Sequence, residues 1–388
     1  MAKGVPFVVL TVISLLLLKR NEMSNAAISF FAAWFYLPWL LTPWMSRRMH
    51  HSDIRRWIIG SQLAMTLLLL ALSLCLSSAS LVPLMVCLLL LSFVCATHDT
   101  ASRLLLDEYS YAREATRRIG RLSYFFSLIV AQGLLIMLGG NMEVLTRDIS
   151  YSWSIVLCMA TGLMLLLTGY HFIQLPKPEE ESQGQTSTMQ DKQTGKFCAF
   201  CLLYLLPYGL IIMMATLFLI DLPHTGGLGL SPAEYGLAMG TVGIIGAFVG
   251  GSVGRRAIHA IGLRACIWLM TAAMTVPSII YWALSIHQDS QLFTICLSIL
   301  IAQFAIGFGT MAFRAYIIYI MKASSALWMG IAMSALAGLL PGLVAGWLQE
   351  AVGYPTFFLI AIGCSLSAFI ASAIVWKNIP AEIGKPLT

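Results

Sequence analysis

"QLPKPEEESQGQTSTMQDKQTGK", residues 174–196, is a polar island in an apolar chain. It contains proline, carries charge at both ends and shows no apolar periodicity. That is the composition of a flexible linker. On either side of it the chain is built for lipid. Of its 388 residues 59% are hydrophobic and 10% charged, whereas soluble domains carry about 25% charged residues. A helix needs about 20 mainly apolar residues to cross a bilayer. Before the linker such segments lie near 5–19, 25–46, 56–78, 81–105, 118–140 and 151–175. After it they lie near 197–220, 231–252, 263–285, 291–314, 325–348 and 354–376. The chain is therefore expected to be an all-α integral membrane protein. It has twelve transmembrane helices in two six-helix bundles, 1–175 and 197–388, joined by a linker at 176–196.

Orientation follows from lysine and arginine, which concentrate on the cytoplasmic side. The even-numbered connections and the two ends hold most of them: Arg47, Arg48, Arg55, Arg56, Arg113, Arg117, Arg118, Arg121, Lys177, Lys192, Lys196, Arg255, Arg256, Arg264 and Lys322, with Lys3, Lys377 and Lys385. The opposite side holds Lys19, Arg20 and Arg147. Both termini and the linker are expected to be cytoplasmic. Lys19 and Arg20 also follow the first apolar run where a signal peptide would need small residues, so no cleavable leader is expected.

Two cytoplasmic turns echo each other across the linker. They are "PWMSRRMHHSDIRRWI" (43–58) and "GGSVGRRAIHAIGLRACIWL" (250–269). Each sets an arginine pair and further arginine in a tight turn after the second helix of its half. Parallel repeats of this kind are one of the common plans of secondary transporters. The turns resemble the Gly/Arg loop of major facilitator transporters, which implies the major facilitator fold. The resemblance implies a gating loop formed by Arg47, Arg48, Gly251, Gly254, Arg255, Arg256 and Arg264. The first copy departs from the pattern, with Pro43, Trp44 and Ser46 in place of glycine.

The stretch "LLLLSFVCATHDTASRLLLDEYS" (88–110) places His98, Asp99 and Arg103 inside the fourth apolar segment. An unpaired charge at mid-membrane costs at least about 2.5–3.5 kcal/mol, and such groups usually face a pathway. Asp99 and Arg103 stand four apart, on one helix face, where they can neutralise each other. These three residues are candidates for proton coupling, since a carboxylate and an imidazole can both take up and release protons. Candidate solute-binding residues are the other polar or aromatic groups in the spans: Trp34, Tyr36, Gln132, Tyr204, Tyr208, Gln303 and Arg314. Buried amides need partners, Arg314 could meet an anionic group, and Pro207 interrupts the seventh helix beside Tyr204 and Tyr208.

The fourth helix is similar to that of the AmpG-type muropeptide permease family. The usual form there runs roughly Ser-Ala-Thr-Gln-Asp, then a second Asp four residues on, then Arg-Thr-Glu. Ala96, Thr97, Asp99 and Glu108 fit it, while His98 stands for the Gln and Arg103 for the second Asp. "SNAAISFFAAWFYLPWLLTPWMS" (24–46), "GGLGLSPAEYGLAMGTVGIIGAFVGGSVG" (226–254) and "SALAGLLPGLVAGWLQEAVGYPTFFL" (334–359) extend the resemblance. It implies a secondary active transporter of a bacterial inner membrane. The expected activity is proton-coupled import of a bulky polar solute, such as a muropeptide-type sugar–peptide, by alternating access. The broader family also includes siderophore importers and carriers of other metabolites. A third possibility, of another class, is a non-transporting receptor or scaffold.

No enzyme is expected: the chain has no G-x-S-x-G, H-E-x-x-H or P-loop lysine. No cofactor or metal is called for. The nine cysteines are scattered through apolar stretches, Cys198-x-x-Cys201 included, where free cysteine acts as a small hydrophobe. The excess of positive charge fits topology rather than nucleic acid. The expected partners are lipid, a small solute and protons, with the protein a monomer. The topology is checked by cysteine labelling of a Gln185→Cys variant in intact cells. An impermeant reagent should fail to reach it from the periplasm, and labelling there would overturn the orientation.

Overall fold

A computed structural model of the chain describes all residues except 1, 51, 77–79, 111–113, 176–190, 290, 321–324, 381–382 and 384–388. Side chains of 106–110, 114–118, 191–193 and 319–320 are outside the description as well. Ten helical segments among the described residues are long and apolar enough to span a bilayer. One of these, Ser325–Trp376, is two helices: the backbone breaks at Gly353, with φ 76 and ψ 165. That left-handed conformation suits glycine, and Pro355 follows it. A shorter apolar helix at 4–20 brings the total to twelve.

We number them α1 (4–20), α2 (Asn25–His50), α3 (Ile54–Cys75), α4 (Val82–Ser110), α5 (114–146), α6 (Ile149–Gln174), α7 (Asp191–Ile220), α8 (Pro232–Ile261), α9 (Leu263–His287), α10 (Leu292–Ile320), α11 (325–352) and α12 (354–376). The twelve apolar segments thus appear as helices in the expected order. Most of the expected linker, with Lys177 and Gln185, lies outside the described residues, as do Arg113, Lys322 and Lys385. Its last six residues are helical instead, because α7 already begins at Asp191. An acidic residue at the first helical position favours such an early start.

Local chemistry sets several ends. Ser24, Asp53 and Asp148 cap α2, α3 and α6, each side chain accepting from a backbone N–H three residues on. Ser231 and Glu234 form a capping box at α8, with Pro232 at the first position. Three helices carry π turns, at Val9–Ile13, Ile129–Leu135 and Gly236–Gly243. Such turns are often found at functional sites.

The chain divides by its contacts into two units. The first comprises Met1–Glu22, Leu41–Gln185 and Ser231–Gly240. Within it α3 lies between α4 and α6, and α1 packs on α4 and α5. The start of α8 packs on α5, where Gly240 abuts the backbone of Gln132 and Gly236 that of Gly133 and Met137. The second unit comprises Met23–Leu40, Thr186–Leu230 and Thr241–Thr388. Its centre is α11, packed against α7 and against residues 25–40 of α2. Gly338, Gly342 and Gly346 line the α2-facing side of α11, meeting the Tyr36 ring, Ala33, and Asn25 with Ser29. Lipid offers little hydrophobic drive between helices, so close approach over small residues is what holds such pairs.

At Gly346 the approach is tight enough to exclude any side chain. An added Cβ would collide with the Asn25 carbonyl and lie 2.6 Å from the Ala26 Cα, while the Gly346 N–H donates to Ser29 Oγ at 2.9 Å. Gly346→Ala is expected to destabilise by about 1–3 kcal/mol, the usual cost of overpacking. Gly162→Ala, where nothing lies within 4 Å of the new carbon, should be neutral or slightly stabilising. Thermal unfolding of both variants beside the wild type checks the contrast.

Candidate functional site

His98 and Asp99 are adjacent on α4 and almost completely buried, at 3% and 4% exposure. Being consecutive on a helix, they point to different neighbours. Asp99 Oδ1 accepts a short hydrogen bond from Lys3 Nζ and a second one, at 3.1 Å, from Arg103 Nε. Lys3 immediately precedes α1. Its ammonium also stands 5.5 Å from the centre of the Tyr124 ring on α5. One buried carboxylate therefore joins the start of α1 to α4, with α5 behind the lysine. The two cations are partly exposed, at 30% and 37% of their side chains, so the site grades from a buried anion to a wetter basic rim. The expected Asp99–Arg103 pair is present, and Lys3 is a further partner 96 positions away.

The contacts described for His98 are to other residues. Its Nδ1 lies 3.1 Å from Ser61 Oγ on α3, and its Nε2 lies 3.4 Å from Ser102 Oγ. The Ser61 hydroxyl donates to the Ile58 carbonyl at 2.9 Å. With that hydrogen committed, Ser61 can only accept, which assigns a proton to Nδ1 and leaves Nε2 to accept from Ser102. The next residue on α3, Gln62, pairs with His171 Nδ1 of α6 at 3.0 Å. The polar contacts described for His98 and Asp99 thus all come from α1, α3 and α4 in the first unit. Glu108 side-chain contacts are outside the description.

The solute-binding candidates divide between the units. Gln132 is half-buried in the π turn of α5. In the second unit Trp34 is exposed, edge-on to Phe30 at 6.2 Å. Tyr36 rests on Gly338 and is near enough to Tyr208 to interact electrostatically, as Tyr208 is with Arg314. The three stand on α2, α7 and α10. Tyr204 is fully buried in the hydrophobic core, packed on Phe200 at 5.1 Å, and its hydroxyl donates to the Gly309 carbonyl at 2.8 Å. Gln303 is half-buried on α10. Of the loop residues, Arg47, Arg48 and Arg256 are exposed, Gly251 and Arg255 half-buried, and Arg264 lies over the Trp376 ring at 5.0 Å. Gly254 packs α8 onto α10, with Phe308 O and Met311 Cγ each 3.0 Å from where a Cβ would sit.

A second polar cluster had no counterpart in the sequence reading. Asn25, at the start of α2, has its Nδ2 within 2.7 Å of Asp221 Oδ2, 2.8 Å of Gln349 Oε1 and 3.0 Å of the Tyr354 hydroxyl. Tyr354 donates in turn to Asp221 Oδ2 at 2.6 Å. All four side chains are buried. Beside them Glu350 Oε1 accepts from the Ala26 N–H at 2.8 Å, at the N-terminus of α2, where a carboxylate is favoured. The cluster ties α2 to the end of α7 and to both sides of the α11–α12 corner. The available signal was Asn25 and Asp221 standing alone at the ends of apolar runs, which resembles ordinary loop polarity.

Three comparisons bear on this arrangement. The family model described as Major Facilitator Superfamily matches residues 5–322. The anhydromuropeptide permease of Escherichia coli (strain K12) is 24% identical over 271 residues, covering 66% of this chain and 52% of that protein. The chain therefore matches about half the length of these curated relatives. Among solved structures, the D-xylose-proton symporter superposes with a TM-score of 0.74 at 12% identity, covering 100% of this chain and 97% of the other. The nucleoside transporter NupG (D323A mutant) gives 0.73 at 14% identity, with 96% and 97% covered. At those identities the structural likeness speaks to the fold, and the fold agrees with the twelve helices found here. With most of its length matched by the family model, the chain belongs to the Major Facilitator Superfamily, a family of membrane transporters and not of enzymes.

Proposed function

We propose that this protein is a proton-coupled importer of a bulky polar solute of the muropeptide type, acting in a bacterial inner membrane by alternating access. The observation that carries the reading is the buried Asp99 carboxylate with its two cationic partners. A carboxylate in such a site can be neutralised by a cation or by a proton. Coupling is then an exchange. In one state Lys3 and Arg103 hold the anion. In the other a proton replaces them, and the two basic groups are released toward water. His98, held by Ser61 and Ser102 rather than by Asp99, positions this part of α4 against α3 and is not the carrier.

The solute assignment rests on the similarity to the anhydromuropeptide permease and on the fourth-helix residues Ala96, Thr97, Asp99 and Glu108. Tyr36, Tyr208 and Arg314 suit a sugar–peptide: two aromatic rings to stack on a pyranose face and a guanidinium for a peptide carboxylate. Trp34, Gln132 and Gln303 complete the proposed solute-binding set. Tyr204 contributes by packing, since its hydroxyl is spent on Gly309. Two six-helix halves, 1–175 and 197–388, with cytoplasmic termini and linker, are the frame in which this transport is proposed.

The test is uptake of an anhydromuropeptide into proteoliposomes, with and without an imposed proton gradient. Asp99→Asn cannot gain or lose a proton. It should abolish gradient-driven accumulation while leaving exchange at equal concentrations partly intact. His98→Gln retains hydrogen bonding to both serines and should keep accumulation within about tenfold of wild type, a loss of about 1.4 kcal/mol at most. Wild-type accumulation by Asp99→Asn would remove the carboxylate from coupling. Failure of the wild type to move any muropeptide, with proton-driven uptake of another solute, would overturn the solute and leave the coupling standing.

A further inference from the structure

A cleft of 510 Å³ opens on the outside of the first unit, between α3 and α4. Its walls are Gly60 and Ala64 of α3 and Val94 and Thr97 of α4, and Ser61 lies among them. It runs along a strongly apolar surface: Leu63 and Leu67 of α3 and Leu90 and Phe93 of α4 are all exposed beside it. In a membrane-spanning bundle such a surface faces acyl chains. The volume is within the roughly 300–1,000 Å³ of pockets that hold small molecules.

One end of the cleft is polar and basic. Trp57, Arg56, Asp53 and Ser52 form its mouth. The Trp57 indole donates to Ser52 Oγ at 2.7 Å, which sets its ring at the level of the loop, the place of aromatic anchors at a membrane surface. Arg56 is 88% exposed. Its Nε edge meets Asp53 Oδ2 at 3.1 Å, and Asp53 is the acidic group at the mouth. Arg55 turns away to the Phe172 carbonyl at 2.6 Å. Arg47 and Arg48 are exposed on the same connection. The segment 47–56 thus carries four arginines against one aspartate, next to an apolar trough. Basic clusters directly at the end of a membrane helix attract anionic headgroups.

We propose that the α3–α4 cleft is a binding site for an anionic phospholipid of the adjoining leaflet, its phosphate on Arg56 and one acyl chain lying over Gly60 and Ala64. The trough is open because Gly60 has no side chain; a Cβ there would meet nothing within 4 Å. The floor of the site touches the coupling cluster, since Ser61 lines the cleft and is the partner of His98 Nδ1. A seated lipid would therefore press on the helix contact that positions His98 and Asp99. The binding proposal depends only on the protein spanning a membrane, not on its solute or coupling ion.

The experiment is native mass spectrometry of the full chain, released from detergent with equal amounts of a phosphatidylglycerol and a phosphatidylcholine of the same acyl chains. The wild type should retain one phosphatidylglycerol in preference. Gly60→Phe, whose Cβ meets nothing within 4 Å, should fill the trough and lose that retained lipid. Arg56→Gln should still retain one lipid but without preference between the two headgroups. Unfolding temperatures measured without added lipid report whether each variant is folded. Undiminished phosphatidylglycerol retention by a folded Gly60→Phe overturns the site. Undiminished headgroup preference in Arg56→Gln overturns the anionic assignment, and if Gly60→Phe does not fold, this second variant alone decides.

Discussion

A carboxylate cannot stay charged and alone inside a membrane-spanning bundle, and the first unit is arranged around that constraint. Asp99 is nearly without solvent exposure, and desolvating an isolated ion costs several kcal/mol even after relaxation. The structure meets the cost with two cations from two different places. Arg103 is local, one turn along α4, and would be there in an isolated helix. Lys3 is remote, and its ammonium holds the start of α1 against α4. In the coupling proposed above a proton takes the place of both cations, Lys3 leaving with the start of α1 and Arg103 by a change of side-chain rotamer.

The second unit also buries a carboxylate, Asp221, and meets it with amide and phenol donors. Asn25 donates to Asp221, Gln349 and Tyr354, and Tyr354 donates to Asp221, so four buried polar side chains are linked at one corner. Buried polar networks of this kind are costly when half-satisfied and rigid when complete. Behind the corner Gly346, Gly342 and Gly338 let α2 come down onto α11. The amide cluster and the glycine stripe act on the same pair of helices, one by directional hydrogen bonds and the other by close packing. Loss of either weakens the grip of the other, since the hydrogen bonds need the short approach that glycine permits.

Much of the fold could be read from residues that act locally. The apolar runs marked all twelve helices because span length is set by the bilayer. The caps that start α8 at Ser231–Glu234 and α6 at Asp148 are short-range chemistry of the same local kind. The Asp99–Arg103 pair was legible for the same reason. Lys3 was not, since 96 residues intervene and nothing on α1 alone shows which helix its ammonium meets. Asn25 and its partners were missed on the same ground, with separations of 196 to 329 residues. Tyr204 looked like a site residue because its hydroxyl sits in an apolar run, but the Gly309 carbonyl satisfies it within the core. The π turns of α1, α5 and α8 had no mark in the sequence.

The claim that carries the account is that Lys3 and Asp99 are energetically coupled and do not merely lie close together. A double-mutant cycle on unfolding in a denaturing detergent tests it, using Lys3→Met, Asp99→Asn and the pair. Lys3→Met alone removes one of the two cations described at the buried carboxylate and should be destabilising. In the Asp99→Asn background the same change should cost much less, giving an interaction term of about 1–2 kcal/mol for a pair with one partly exposed member. Additive effects, within about 0.5 kcal/mol, would contradict the account. They would leave Asp99 with no energetic tie to the start of α1.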